Sequence, residues 1–171
     1  MKRLPLKNLL LTALFAALTT LGAFLRIPIG HSSITLQFFF ACMAGLLLGP
    51  YWGAASQLIY VLLGLVGLPV FSEGGGLMYV AKPAFGFLLG LIPAAFFVGL
   101  FAEKRPWLSY LAGLLALYAV GLPYFYFALG SSLSPKQILL YYCAAFLPFD
   151  LIKILCAELL RRRLSRLNIP L

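Results

Sequence analysis

The sequence predicts an all-α integral membrane protein of six transmembrane helices, and three observations carry that reading. Of 171 residues, 63% are hydrophobic and 10% charged, where a soluble domain is nearer a quarter charged. So little polar surface cannot cover a globule in water, which makes a bilayer the natural solvent. Apolar segments recur at residues 8–25, 36–48, 54–68, 84–102, 107–129 and 137–160. In hydrocarbon each backbone group must be satisfied within its own segment, so each segment should be a helix. The net charge of +9 is concentrated at the chain ends and in one hydrophilic break. A nucleic-acid binder would instead carry a basic face on a soluble fold. This pattern reads as control of topology, with no nucleic-acid partner. The length suits one domain, residues 1–171.

The first segment, "MKRLPLKNLLLTALFAALTTLGA", imitates a secretory signal, with a basic start, an apolar run and a small residue at Ala23. It is read here as a retained first helix. Ala13 and Ala17 form a small-xxx-small pair beside Ala16, with Thr12 and Thr20 nearby. Such a face lets another helix approach closely, whether from this chain or from a partner. A short polar loop with His31, Ser32 and Ser33 follows. His31 is the one histidine in the chain, which rules out a multi-histidine metal site.

The second and third segments fall short of the ~20 residues of a full span. Gly49-Pro50 and Gly53 interrupt them, which predicts a tight helical hairpin. The connection Gly67–Pro83, "GLPVFSEGGGLMYVAKP", is too apolar for a bare linker and should pack onto something, as a lid would, or else rest on lipid headgroups as an interfacial loop. Gly74, Gly75 and Gly76 would let backbone N–H groups approach a ligand closely, or form a flexible turn. No phosphate-binding glycine pattern accompanies them.

The sixth segment contains "PFDLIK", residues 148–153. An ionisable group at the bilayer centre costs roughly 3 kcal/mol and is functional by default. Asp150 and Lys153 lie three residues apart, so on a helix their side chains project from neighbouring faces. Pro148 frees a carbonyl one turn earlier and is expected to break the helix. A carboxylate accepts two N–H donors, and an ammonium donates to an oxygen. The complementary ligand has adjacent N–H groups, an oxygen acceptor and an apolar body for Tyr141, Tyr142, Phe146 and Phe149. A salt bridge that only fixes helix packing is the plainer alternative.

With six helices, Lys2, Arg3, Lys7, Lys104, Arg105, Arg161, Arg162, Arg163 and Arg166 fall on one side. Arg26, Lys82 and Lys136 fall on the other. Both termini should then be cytoplasmic. Cys42, Cys143 and Cys156 read as small buried hydrophobes. No Ser/His/Asp or Cys/His set and no HExxH motif occurs, so binding rather than catalysis is expected, with no metal or cofactor. No ATP-binding motif exists, so any driving energy must come from a partner.

Taken together, "ITLQFFFACMAGLLLGPYWGAASQLIYVLLGLVGLPVFSEGGG", "KPAFGFLLG" and "PFDLIK" resemble the BioY family, the biotin-specific substrate-binding (S) components of energy-coupling factor (ECF) transporters. The likeness runs from the first helix to the sixth. The resemblance implies a six-helix protein of the cell membrane that captures biotin on the outer face. It implies work with a transmembrane coupling subunit (T component) and two ATPase subunits, which alone use ATP. It also implies that Ala13 and Ala17 face the coupling subunit. Biotin's ureido ring, with two N–H donors and one carbonyl, suits Asp150 and Lys153. The Gly74–Gly76 loop could close over the ligand. Lys82 and Arg26 are candidates for its carboxylate, and Gln37 and Tyr79 are further hydrogen-bonding partners. Other readings are an S component for another vitamin (thiamine or riboflavin), a membrane-embedded enzyme using Asp150 and Lys153 as acid and base, and a structural subunit without a ligand.

Overall fold

The computed structural model describes residues 6–29, 32–103, 105–129, 134–138, 140 and 144–166. The chain is mostly helical. In order it forms α1 (Leu6–Phe24), β1 (Arg26–Ile29), β2 (Ser32–Thr35), α2 (Gln37–Leu65), a 3-10 turn (Leu77–Ala81), α3 (Phe85–Phe101), α4 (Pro106–Ala128), the short α5 (Pro135–Ile138) and α6 (Ala144–Arg166). α2 is the hub, packed on α1, α3 and α6, while α3 also packs on α4.

The expected hairpin between the second and third segments is present. α2 bends at Gly49, whose φ of 78° and ψ of −178° lie outside the helical region. A side chain would resist that φ, and Pro50 removes the N–H that would continue the ladder. The limbs, residues 37–48 and 50–65, turn back on one another. A Cβ placed on Gly53 would lie 2.8 Å from the Cα of Gly45. A Cβ on Gly45 would in turn strike the carbonyl of Ala95 on α3. Glycines therefore let three helical stretches meet at backbone distance.

The outward faces are apolar. Leu10, Leu14 and Leu21 on α1, Leu111 and Leu115 on α4, and Leu151, Ile152 and Leu155 on α6 are all exposed. A contiguous exposed surface of this kind needs an apolar partner, and lipid is the obvious one. Among the described residues, three helices are long and apolar enough to cross a membrane: α1, α2 and α4. α3 is apolar but shorter. α6 carries Asp150, Lys153 and Glu158 on its buried side.

Three expectations need correction. The chain is not wholly α, because β1 and β2 pair antiparallel, with Arg26 opposite Thr35 and Ile27 opposite Ile34. The N–H of Leu36 then donates to the carbonyl of Gly22 at 3.0 Å and ties this hairpin to the end of α1. His31 lies outside the described residues. Pro148 does not break the sixth helix: α6 runs through it from Ala144. Cys42 is buried as expected, but Cys156 is exposed on the outer side of α6. Cys143 lies outside the described residues.

Candidate functional site

Nine polar or charged residues are buried among the described ones, including Gln37, Asp150, Lys153 and Glu158. Among those residues, no buried side-chain nitrogen or oxygen lacks a hydrogen-bond partner. Buried polar groups that are all satisfied can define one arrangement rather than several.

Asp150 and Lys153 are 4% and 7% exposed. Lys153 Nζ donates to Asp150 Oδ1 at 2.7 Å. The second oxygen, Oδ2, accepts from the Tyr118 hydroxyl on α4 at 2.7 Å. A second tyrosine–acid bond lies farther along the same two helices: Tyr110 donates to Glu158 Oε2 at 2.9 Å. Tyr110 and Tyr118 are eight residues apart, as are Asp150 and Glu158. The two bonds therefore fix an antiparallel register between α4 and α6. Glu158 also accepts from Arg161 and Arg162, at 2.8 and 2.6 Å.

A pocket opens beside this pair. It is lined on one side by Asp150, Lys153, Tyr118, Phe146, Phe87 and Leu117, and on the other by Ser33, Thr35, Gln37, Ser72 and Tyr79. It holds about 620 Å³ of empty space, its open mouth included. Gln37, at the start of α2, accepts from Thr35 Oγ1 and donates to the Tyr60 hydroxyl, both at 2.6 Å. Tyr79 shares a hydrogen bond of 3.1 Å with Ser72. Its ring packs against Phe71, with centroids 4.6 Å apart. Phe71 is fully buried and seated on Gly64, where a Cβ would collide with the ring. The apolar connection thus anchors in the core and presents Ser72 and Tyr79 to the pocket.

Four of the expected residues, Asp150, Lys153, Gln37 and Tyr79, come together here. Gly74, Gly75 and Gly76 do not line the pocket. The N–H of Gly76 donates to the carbonyl of Gly64 at 2.7 Å, and that of Gly74 to Phe71 at 3.3 Å. Gly75 and Gly76 instead border a shallow outer recess with Leu62, Leu65, Val66, Leu77 and Met78. Arg26 and Lys82 do not line the pocket either; they pair with Glu73, next to the lining residues Thr35, Ser72 and Tyr79. Lys82 Nζ lies 2.6 Å from Glu73 Oε2 and Arg26 3.6 Å from Oε1. The hydrogen bond from Lys82, working against partial burial, holds the Glu73 carboxyl below its usual range. Phe146 forms part of the wall as expected, whereas Phe149 is turned outward. Tyr141 and Tyr142 lie outside the described residues. Ala13 and Ala17 are exposed on α1, away from the pocket. Sequence reasoning missed Tyr118, Ser72, Ser33, Thr35 and Phe87. The matching eight-residue spacings on α4 and α6 were the one signal that could have found Tyr118.

A carboxylate and an ammonium, both desolvated and set in an aromatic wall, can read a compact group with N–H donors and a carbonyl. The described residues hold no cluster of metal-ligating side chains.

The chain is similar to known proteins in both sequence and shape. The chain is 44% identical to a probable biotin transporter BioY from Lysinibacillus sphaericus, over 76% of this chain and 70% of that protein. It is 35% identical to the biotin transporter BioY of Thermotoga maritima, over 96% and 99% of the two chains. The crystal structure of an S component for biotin from an ECF-type ABC transporter superposes with a TM-score of 0.83 at 30% identity, covering 94% of this chain and 92% of that one. The model of the BioY family matches residues 1–169, and the chain belongs to that family.

Proposed function

We propose that the protein is the biotin-binding S component of an ECF-type importer, a multi-pass protein of the cell membrane without catalysis of its own. It captures biotin from the outer side and passes it through a transmembrane coupling subunit driven by two ATPase subunits. The single observation that carries the choice of ligand is the Asp150–Lys153 pair, buried and bonded at 2.7 Å in the wall of an aromatic pocket. Biotin's ureido N–H groups meet the carboxylate and its carbonyl meets the ammonium. The thiophane ring and valeryl chain lie against Phe87, Phe146, Leu117 and Tyr79. Gln37 supplies a further polar contact, Arg26 and Lys82 meet the ligand's carboxylate at the rim, and Gly74–Gly76 shape the loop that closes it.

The same reading takes the two limbs of α2 as separate short spans and gives six in all. Both termini then stand on the cytoplasmic side, with Arg105, Arg161, Arg162, Arg163 and Arg166. Family membership supports this topology, as does the uneven distribution of basic residues.

The test is calorimetric titration of biotin into the detergent-purified protein and into Asp150→Asn. The wild type should bind one equivalent. The variant keeps the shape but leaves Lys153 uncompensated and halves the acceptor capacity. Affinity should fall by roughly 2–4 kcal/mol, as for a broken buried pair. Affinity within tenfold of wild type would remove Asp150 from the site.

A further inference from the structure

We propose that Glu73 is a specificity-determining residue, a built-in counter-anion that, paired with Arg26 and Lys82, sets the charge at the pocket mouth and, through Arg26, clamps the β-hairpin to the glycine-rich connection. The specificity role rests on the reading of the pocket as a biotin site; the clamp does not.

The two cations come from different segments. Arg26 is on β1, directly opposite Thr35 of β2, and Thr35 lines the pocket. Lys82 closes the glycine-rich connection, with Nζ 4.7 Å from the centre of the Tyr79 ring, and Tyr79 also lines the pocket. Glu73 follows Ser72, another lining residue, and sits in a turn where Phe71 and Gly74 exchange backbone hydrogen bonds. Glu73 belongs to the same connection as Lys82, so its pair with Lys82 closes the connection on itself, and its pair with Arg26 joins the connection to the hairpin. The other acids are elsewhere: Glu103 follows α3, and Asp150 and Glu158 are bonded within α6.

At the rim two positive groups face one negative group, leaving a local charge of one. A single carboxylate on the ligand's tail neutralises it. The ligand shares a cation and Glu73 retains the other. Without Glu73 the mouth carries two uncompensated cations. It should then favour a charged tail over an uncharged one more strongly than the wild type does. The side chains are 40–44% exposed. Exposed ion pairs of this kind change an equilibrium about two- to fivefold each. A clamp of that strength holds the segments together yet opens for ligand passage.

The experiment compares wild type, Glu73→Gln and Glu73→Asp, purified in detergent, by two measurements. One is the ratio of affinities for biotin and biotin methyl ester. The other is backbone hydrogen exchange over residues 26–29 and 32–35 without ligand. In Glu73→Gln the acid-over-ester ratio should rise about three- to tenfold and hairpin exchange should quicken about two- to fivefold. Glu73→Asp should stay close to wild type in both. An unchanged ratio overturns the counter-anion role, and unchanged exchange overturns the clamp. A wild type that binds neither compound overturns the biotin reading and the specificity role with it, while the exchange comparison still decides the clamp.

Discussion

Asp150 has each oxygen engaged by one protein donor, Oδ1 by Lys153 and Oδ2 by Tyr118. A carboxylate oxygen has two acceptor positions, so each retains room for a ligand N–H. The tyrosine fixes the plane of the carboxylate and so the direction in which its free lone pairs point. Tyr118→Phe should weaken biotin binding by about 1 kcal/mol, the worth of one such hydrogen bond, and titration calorimetry would read it. Binding equal to wild type would reduce Tyr118 to a packing residue. Asp150 and Lys153 were legible in the sequence because charge in an apolar run is costly and demands a reason. Tyr118 was not, because a tyrosine in a membrane helix is ordinary and its partner lies 32 residues away in the chain. Only the register of α4 against α6 makes it part of the site. Arg26 and Lys82 were legible as cations near the mouth. Their engagement by Glu73 could be known only once β1 and the glycine-rich connection were placed side by side.

Elements divide by how local their causes are. The bend in α2 was readable because Gly49 and Pro50 act on their own backbone. The β-hairpin was not, since Pro28 inside "RIPI" argues against a strand. Its pairing is secured by register with β2 and by the bond from Leu36 to the end of α1. α6 continues past the apolar run to Arg166, where the arginines bond back to Glu158 one turn earlier. The close meeting of α2 and α3 has a sharper consequence. A Cβ on Gly45 would enter the carbonyl of Ala95 and come within 3.1 Å of Val98 Cβ, and neither is the flexible end of a side chain. Gly45→Ala should therefore push the helices apart and destabilise the fold by about 2 kcal/mol. A lowered thermal unfolding midpoint in detergent would show it, and an unchanged midpoint would mean the interface has slack that the contact geometry denies.

At the scale of the whole molecule, the pocket and the exposed Ala13–Ala17 pair of α1 lie apart, since neither alanine lines the pocket. α1 turns Thr12, Phe15, Ala16, Thr19, Gly22 and Ala23 inward. Thr19 bonds Gln57 of α2 at 3.2 Å, so this inward face is what holds α1 in the bundle. Ala13 and Ala17 project from the opposite side, exposed among Leu10, Leu14 and Leu21. The pair is thus not consumed by packing within this chain, one of the two uses open to a small-xxx-small pair. A lipid-facing helix gains nothing from two alanines in line, whereas a helix that must meet another backbone closely does. Ala13→Trp or Ala17→Trp should leave biotin affinity within about twofold, because neither residue reaches the pocket, and should reduce co-purification with the coupling subunit about tenfold, near the loss expected when a bulky ring is forced into a close helix contact. Uptake by cells would fall with it while the isolated protein still bound. If both variants assembled and transported like wild type, this face would belong to lipid and the coupling subunit would have to dock elsewhere on the molecule.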